Sequence, residues 1–276
     1  MSTVPEFQNG AARESLDSEA ATSTVAVGTP SLETRGLTKD FHGFRAVDQV
    51  DLKVQAGTVH ALVGPNGAGK TTLFNLLTGF LKPTSGTIAL EGQDVTRLSP
   101  DQIAKRGVGR SFQITSLFEQ LTVVEHVALA LQSRTSLGYR FWMPEGVLRR
   151  FRERAMELLE QVRLSDVATR AVHSLPYGQK RALELALVLA LEPKLMLLDE
   201  PTAGMGVEDV DRIIELIQRV RAGRTVVLVE HNMGVVASLA DQVTILQYGS
   251  VLAEGAYEAV RQDPRVITAY LGEVHG

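Results

Sequence analysis

The 276-residue chain is long enough for one large domain or a core with a small subdomain, and its 44% apolar content supports a buried core. A net charge of -4 argues against a nucleic-acid partner, and the absence of cysteine excludes disulfides and thiolate metal sites. The six histidines (His42, His60, His126, His173, His231, His275) supply no pair at ligand spacing on one helix, so a zinc site is not expected.

Met1 to about Ser31 is rich in Ser, Thr, Ala, Glu and Gly, with Phe7 its one aromatic. Such a stretch buries too little apolar surface to offset the entropy of ordering it, and it reads as a disordered tail, 1–31. From Leu32 the pattern changes. "VDLKVQAG" and "TIALEG" alternate as antiparallel strands do, whereas "TVHALVG", "KLMLLD" and "TVVLVE" are continuous apolar runs, as in strands buried on both faces. Helices are expected between them, over Lys70–Thr78, Glu145–Arg163, Gln179–Leu191 and Glu208–Val220. In the second, Leu148, Phe151, Met156, Leu158, Leu159 and Val162 supply the apolar side. Strands alternating with helices predict a parallel α/β core. The span from about 117 to 173 lacks strand signals and reads as an inserted helical subdomain.

No apolar run approaches the roughly 18–20 residues that span a bilayer; Ala182–Leu191 is interrupted by Glu184. The N-terminus lacks the basic start and apolar stretch of a secretory signal. A soluble, cytoplasmic chain is expected, one that reaches a membrane only if something else holds it there.

"GPNGAGKTT", comprising Gly64, Pro65, Asn66, Gly67, Ala68, Gly69, Lys70, Thr71 and Thr72, satisfies the Walker A pattern between a buried strand and a helix. Its glycines let successive backbone N–H groups turn toward phosphate oxygens, and the helix N-terminus adds positive potential. Lys70 can reach the β- and γ-phosphates, and the Thr71 hydroxyl can ligate Mg2+. "LMLLDEP" delivers Asp199 and Glu200 at the C-terminal end of a strand, where α/β sheets bind ligands. Asp199 would hold Mg2+ through water, and Glu200 would orient or deprotonate an attacking water. "SLPYGQKRALELA" sets Pro, Tyr, Gly and Gln before a helical run, the front of a helix suited to an anion.

With these motifs in this order, the chain after its tail (32–276) resembles the ABC-transporter ATPases: a RecA-like parallel core, an antiparallel β subdomain and an inserted helical subdomain. In "LPYGQ", Gly178 and Gln179 match the last two signature positions. "RSFQ" places Gln113 as the loop glutamine that senses Mg2+ and attacking water. "VEHNM" places His231 as the switch histidine on the γ-phosphate, and "KDFHGFRAV" places Phe41 where the family stacks an aromatic on adenine. Taken singly, Phe41 reads as core, Gln113 as a solvated loop residue and His231 as a strand-end histidine. Their order and spacing carry the assignment.

The resemblance implies ATP and Mg2+ as cofactors and a head-to-tail pair, homo- or heterodimeric, in which each signature helix caps the nucleotide on its partner's Walker A loop. Pro176 replaces the signature serine, which shifts phosphate contact toward backbone groups around Tyr177 and Gly178. Gly206 stands where many members have an acidic residue linking the two sites; as an ordinary glycine before a helix it reads equally well. "LPYGQKR", "DEPTAGM" and "VITAYLGE" are similar to the ATPases of branched-chain and hydrophobic amino acid importers and their urea and amide relatives. The implied partners are integral-membrane permease subunits, a second ATPase subunit and a separate solute-binding protein, with the chain peripheral on the cytoplasmic face. The permease would dock near Ile114–Trp142, with Tyr139, Phe141 or Trp142 at the contact; aromatics filling a satellite core are the alternative. Rival functions are a lipid or other exporter ATPase, a soluble ABC ATPase of DNA repair, chromosome structure or translation, and a nonhydrolytic adaptor. Glu200 argues against the last.

Overall fold

The computed structural model describes residues 28–111, 117–133 and 145–271. Two sheets form the frame. The first is antiparallel, in the order β2-β1-β4-β5, from β1 (Leu32–Phe41), β2 (Phe44–Val54), β4 (Ser85–Leu90) and β5 (Gln93–Asp94). The second runs β10-β9-β3-β8-β7-β6, from β3 (Val59–Val63), β6 (Val108–Arg110), β7 (Leu195–Asp199), β8 (Thr225–Val229), β9 (Gln242–Gln247) and β10 (Ser250–Gly255). Only β10 is antiparallel to its neighbour.

The apolar runs sit where two-sided burial requires. Every residue of β3, β7 and β8 is buried, so neither face of these central strands tolerates a solvated side chain. In β2, facing one layer only, buried Val50, Leu52 and Val54 alternate with exposed Asp51 and Lys53. Ser31, placed in the tail by its composition, is 7% exposed; its N–H donates to Val54 O (2.9 Å) and its carbonyl accepts from Glu91 (3.1 Å). The expectation of a disordered tail over 1–27 lies outside the described residues.

The helices pack on these sheets. α1 (Lys70–Leu77) follows β3, and α2 (Pro100–Ala104) opens with a capping box from Ser99 and Gln102. α3 (Val123–Ser133) and α4 (Glu145–Gln161) lean on each other and on α5 (Tyr177–Ala190). Between α4 and α5 the chain makes two 3-10 turns, and the one bridge among the described residues of 117–173 joins Thr122 to Ala171. Leu158 and Leu159 of α4 are fully buried, each of the kind that contributes about 1.5–3 kcal/mol. Leu148, expected on the same face, is 46% exposed; Ala155 is buried there instead. α6 (Val207–Val220) and α7 (Met233–Leu239) cover the parallel sheet, and α8 (Tyr257–Arg261) and α9 (Pro264–Leu271) close the chain beside β9 and β10.

Candidate functional site

The loop between β3 and α1 is shaped by close backbone approach. A Cβ on Gly64 would lie 2.3 Å from the carbonyl oxygen of Leu246, and one on Gly69 2.3 Å from that of Ala46. Gly67 (φ 78°) and Gly69 (φ 99°) adopt left-handed conformations that side chains disfavour. Gly69 is the N-cap of α1, without a side-chain cap. Behind the loop, Gly249 donates its N–H to Ala68 O at 3.0 Å, tying the β9–β10 turn to it. Lys70 is 8% exposed, and its Nζ donates to Gly64 O (2.5 Å) and Pro65 O (2.9 Å). A buried ammonium folded over the loop is held where an anion entering the loop would meet it. Pro65, Asn66, Gly67 and Ala68 border an open cleft of about 820 Å³ shared with Phe44 and Tyr248. Thr71 is exposed and Thr72 half-buried.

Phe41 ends β1, 40% exposed, with Lys39 Nζ 5.0 Å from its ring centroid. It pairs with Phe44 across the β1–β2 turn, and β2 reaches the loop at Ala46.

Asp199 and Glu200 stand at the C-terminal end of β7, two strands from β3. Asp199 is 1% exposed and neither carboxylate oxygen has a hydrogen-bond partner. Burial pushes its carboxyl up to about 6; Arg110, whose Nη2 lies 4.0 Å away, opposes the shift, and Glu200 adds to it. An orphaned carboxylate at a strand end suits a cation. Among the described residues no cluster of three or more His, Asp or Glu could hold a metal alone. The Asp199 carboxylate fits Mg2+, which one carboxylate, a hydroxyl such as that of Thr71, waters and substrate phosphates together would satisfy.

Glu200 adopts φ 45°, a left-handed conformation rare outside glycine, with its N–H donating to Val229 O at 2.9 Å. Its Oε1 lies 3.7 Å from Nδ1 of His231, which follows β8 and is largely exposed. Lys70, Asp199, Glu200 and His231 thus converge at the C-terminal ends of the neighbouring strands β3, β7 and β8. Gln113 lies outside the described residues, as do Tyr139, Phe141 and Trp142.

The front of α5 opens on a different cleft from that of the loop. Its N-cap is Pro176, and the N–H groups of Tyr177, Gly178 and Gln179 precede the first bond of the helix, from Lys180 N–H to Pro176 O at 3.1 Å. A Cβ on Gly178 would lie 2.9 Å from Asp209 Oδ1, so the Asp209 side chain of α6 reaches this turn. Pro176, Gly178 and Gln179 line a cleft of about 300 Å³ with Asp209 and Arg212; no residue of the β3–α1 loop borders it.

Two residues escaped the sequence reading. Glu230, at the end of β8, is fully buried and accepts from Thr202 N–H (3.2 Å) and hydroxyl, His231 N–H (3.1 Å) and Asn232 N–H (3.3 Å). It pins the segment after Glu200 to the segment holding His231. Arg110 lies between the rings of Phe74 and Phe80 (4.8 and 4.9 Å to the centroids) and donates to Asn75 Oδ1 (2.8 Å) and Thr78 Oγ1 (2.9 Å). It thereby ties α1 to β6 and to Asp199. Glu230, a charged residue ending an apolar run, was the one signal available for either.

The sequence profile of the ABC transporter family matches residues 47–203, and that of the branched-chain amino acid ATP-binding cassette transporter C-terminus matches residues 250–276. The chain is 42% identical over 253 residues to the high-affinity branched-chain amino acid transport ATP-binding protein BraF of Pseudomonas aeruginosa, covering 88% of this chain and 98% of that protein. It is 39% identical over 251 residues to LivG of Escherichia coli K12, named for the same transport, with the same coverage. Among solved structures, an ATP-binding cassette of an ABC transporter in its ADP conformation superposes with a TM-score of 0.78 at 30% identity, covering 88% of this chain and 99% of that one.

Proposed function

This chain belongs to the ABC transporter family, and from that premise we propose that it is the ATP-hydrolysing subunit of an importer for branched-chain amino acids or a closely related small solute. The fold is that of the family's ATPase cassettes, and the chain binds and hydrolyses ATP. The observation that carries the reading is the convergence of Lys70, Asp199, Glu200 and His231 at one end of three neighbouring strands.

Lys70 exchanges its two carbonyl partners for the β- and γ-phosphates, which the N–H groups of Gly67–Thr72 surround. Phe41 lies under the adenine. Thr71, and Asp199 through water, would hold Mg2+, with Gln113 sensing it and the attacking water; the ion would neutralise developing charge on the phosphates. Glu200 orients the attacking water and receives its proton, and His231 holds the γ-phosphate from the other side. Positioning and charge neutralisation supply most of the rate. The front of α5 offers its first-turn N–H groups to the γ-phosphate of a second ATPase subunit, so ATP closes a pair and hydrolysis reopens it.

No helix among the described residues is long and apolar enough to cross a membrane. On the same reading, supported by relatives named as ATP-binding proteins of branched-chain amino acid transport, the chain works beside integral-membrane permease subunits, at the cytoplasmic face, with a separate binding protein delivering solute. Co-expression with a permease and purification of the complex tests this. Substrate-stimulated ATPase activity and ATP-driven uptake of a branched-chain amino acid into vesicles are expected. A purified complex that hydrolyses no ATP, or that moves solute outward, overturns the reading.

A further inference from the structure

The phenol of Tyr177 reaches across 26 residues to the loop beyond the catalytic carboxylate. Its hydroxyl donates to the carbonyl of Ala203 at 2.9 Å and accepts from Arg181 Nε at 3.1 Å. A phenol has one proton, so accepting from a guanidinium, which has no lone pair to offer, commits that proton to Ala203. Arg181 is itself fixed: its guanidinium lies 5.5 Å from the Tyr177 ring centroid and is bound to Glu184 at 2.8 Å, both side chains being only 10–12% exposed. Ala203 in turn donates its N–H to the carbonyl of Glu200 at 3.1 Å. Beside it, Gly204 (φ 75°) passes close to the ring, its ideal Cβ position lying 3.7 Å from the Tyr177 hydroxyl oxygen. An unbroken bonded path therefore runs from Glu184 through Arg181, Tyr177 and Ala203 to Glu200.

We propose that Tyr177 is a positioning residue whose hydroxyl couples the front of α5 to the loop after Glu200, so that engagement of a second subunit's nucleotide by α5 sets the catalytic carboxylate of this chain. The inference rests on the paired-site reading above. It gives the segment Thr202–Gly206 two anchors, Glu230 on Thr202 and Tyr177 on Ala203, in a chain where Gly206 offers no side chain for linking sites.

The test uses the assembled transporter in lipid vesicles, comparing wild type with Tyr177→Phe, with para-aminophenylalanine introduced at position 177, and with Glu200→Gln. Replacement by Phe keeps the ring and deletes the donor. KM for ATP is expected to stay within about twofold while kcat falls about tenfold, the rate equivalent of one lost hydrogen bond. The Hill coefficient for ATP should fall toward one. The amino analogue restores a donor at the same place and should bring kcat back to within about threefold of wild type. Wild-type kcat and cooperativity in the Phe variant overturn the inference, as does equal impairment of the Phe and amino variants, which would show that donation to Ala203 is not what sets the rate. An inactive wild type, or full hydrolysis by Glu200→Gln, instead sinks the functional reading and the inference with it.

Discussion

The carboxylate of Glu230 accepts from both the N–H and the hydroxyl of Thr202, and does so with no solvent exposure. Thr202 follows β7 by three residues, and Glu230 directly precedes His231. One buried carboxyl group thus fixes the relative placement of the two segments proposed to face the same phosphate. Four donors surround it, which satisfies the hydrogen-bonding capacity of a carboxyl group taken out of water.

Removing the Thr202 hydroxyl therefore costs stability as well as activity. Thr202→Val keeps the shape and the backbone donor but strips one charge-assisted bond, about 2 kcal/mol. Tm should fall by about 4–8 °C. A thermal scan of the nucleotide-free protein measures this, and a change under 1 °C would show that the hydroxyl is dispensable.

Asp199 predicts a pH effect with a definite sign. Its carboxyl is raised from 3.8 to about 6, chiefly by burial. Between those values the folded state binds more protons than the unfolded one, so this group's contribution declines as pH rises from about 4 to about 6. Asp199→Asn lacks the titration. The stability difference, variant minus wild type, should increase across that window by on the order of 3 kcal/mol and be flat above it. Tm against pH for the two proteins, without Mg2+ or nucleotide, gives the curve. A pH-independent difference would refute the shifted carboxyl.

Much of this was legible in the residues because burial on two faces forces an unbroken apolar run. β3, β7 and β8 each read that way, and the carboxylates ending β7 stood out against it. β6 did not: its three residues, "VGR", are too few to show a period, and the strand exists by pairing with β7. The front of α5 begins at Tyr177, two residues before the expected Gln179, because Pro176 takes the N-cap. The exposure of Leu148 shows the limit of periodicity, which gives a helix a face but not how far along its length a neighbour covers it. Glu230 and Arg110 act through contacts across 28 and 35 residues, and no local pattern encodes those.

Glycines at two positions of the site differ sharply in what they tolerate. Gly64→Ala drives a methyl into the Leu246 carbonyl, on a strand hydrogen-bonded to β3, where nothing can move cheaply. A loss of about 3 kcal/mol or more is expected. Gly206 has φ −72° and no atom within 4 Å of its Cβ position, so Gly206→Ala should change stability by no more than about 0.5 kcal/mol. Urea midpoints compare the two. Equal midpoints would contradict the close approach at Gly64.

Glu200 carries the sharpest prediction for turnover. Its φ of 45° is a conformation that a non-glycine residue holds only under constraint, here bonds to Val229 O through its N–H and from Ala203 through its carbonyl. Glu200→Gln leaves those backbone bonds and the side-chain volume intact but removes the base proposed to take the proton of the attacking water. Hydrolysis should fall by about a hundredfold or more while ATP still binds. ATP should then accumulate in a closed pair, visible by size-exclusion chromatography as a nucleotide-dependent shift absent with ADP. Single-turnover kinetics separates this from slow product release, because loss of the base slows the first turnover itself. A variant that hydrolyses its first ATP at the wild-type rate would remove Glu200 from the chemical step and leave it a structural role at the end of β7.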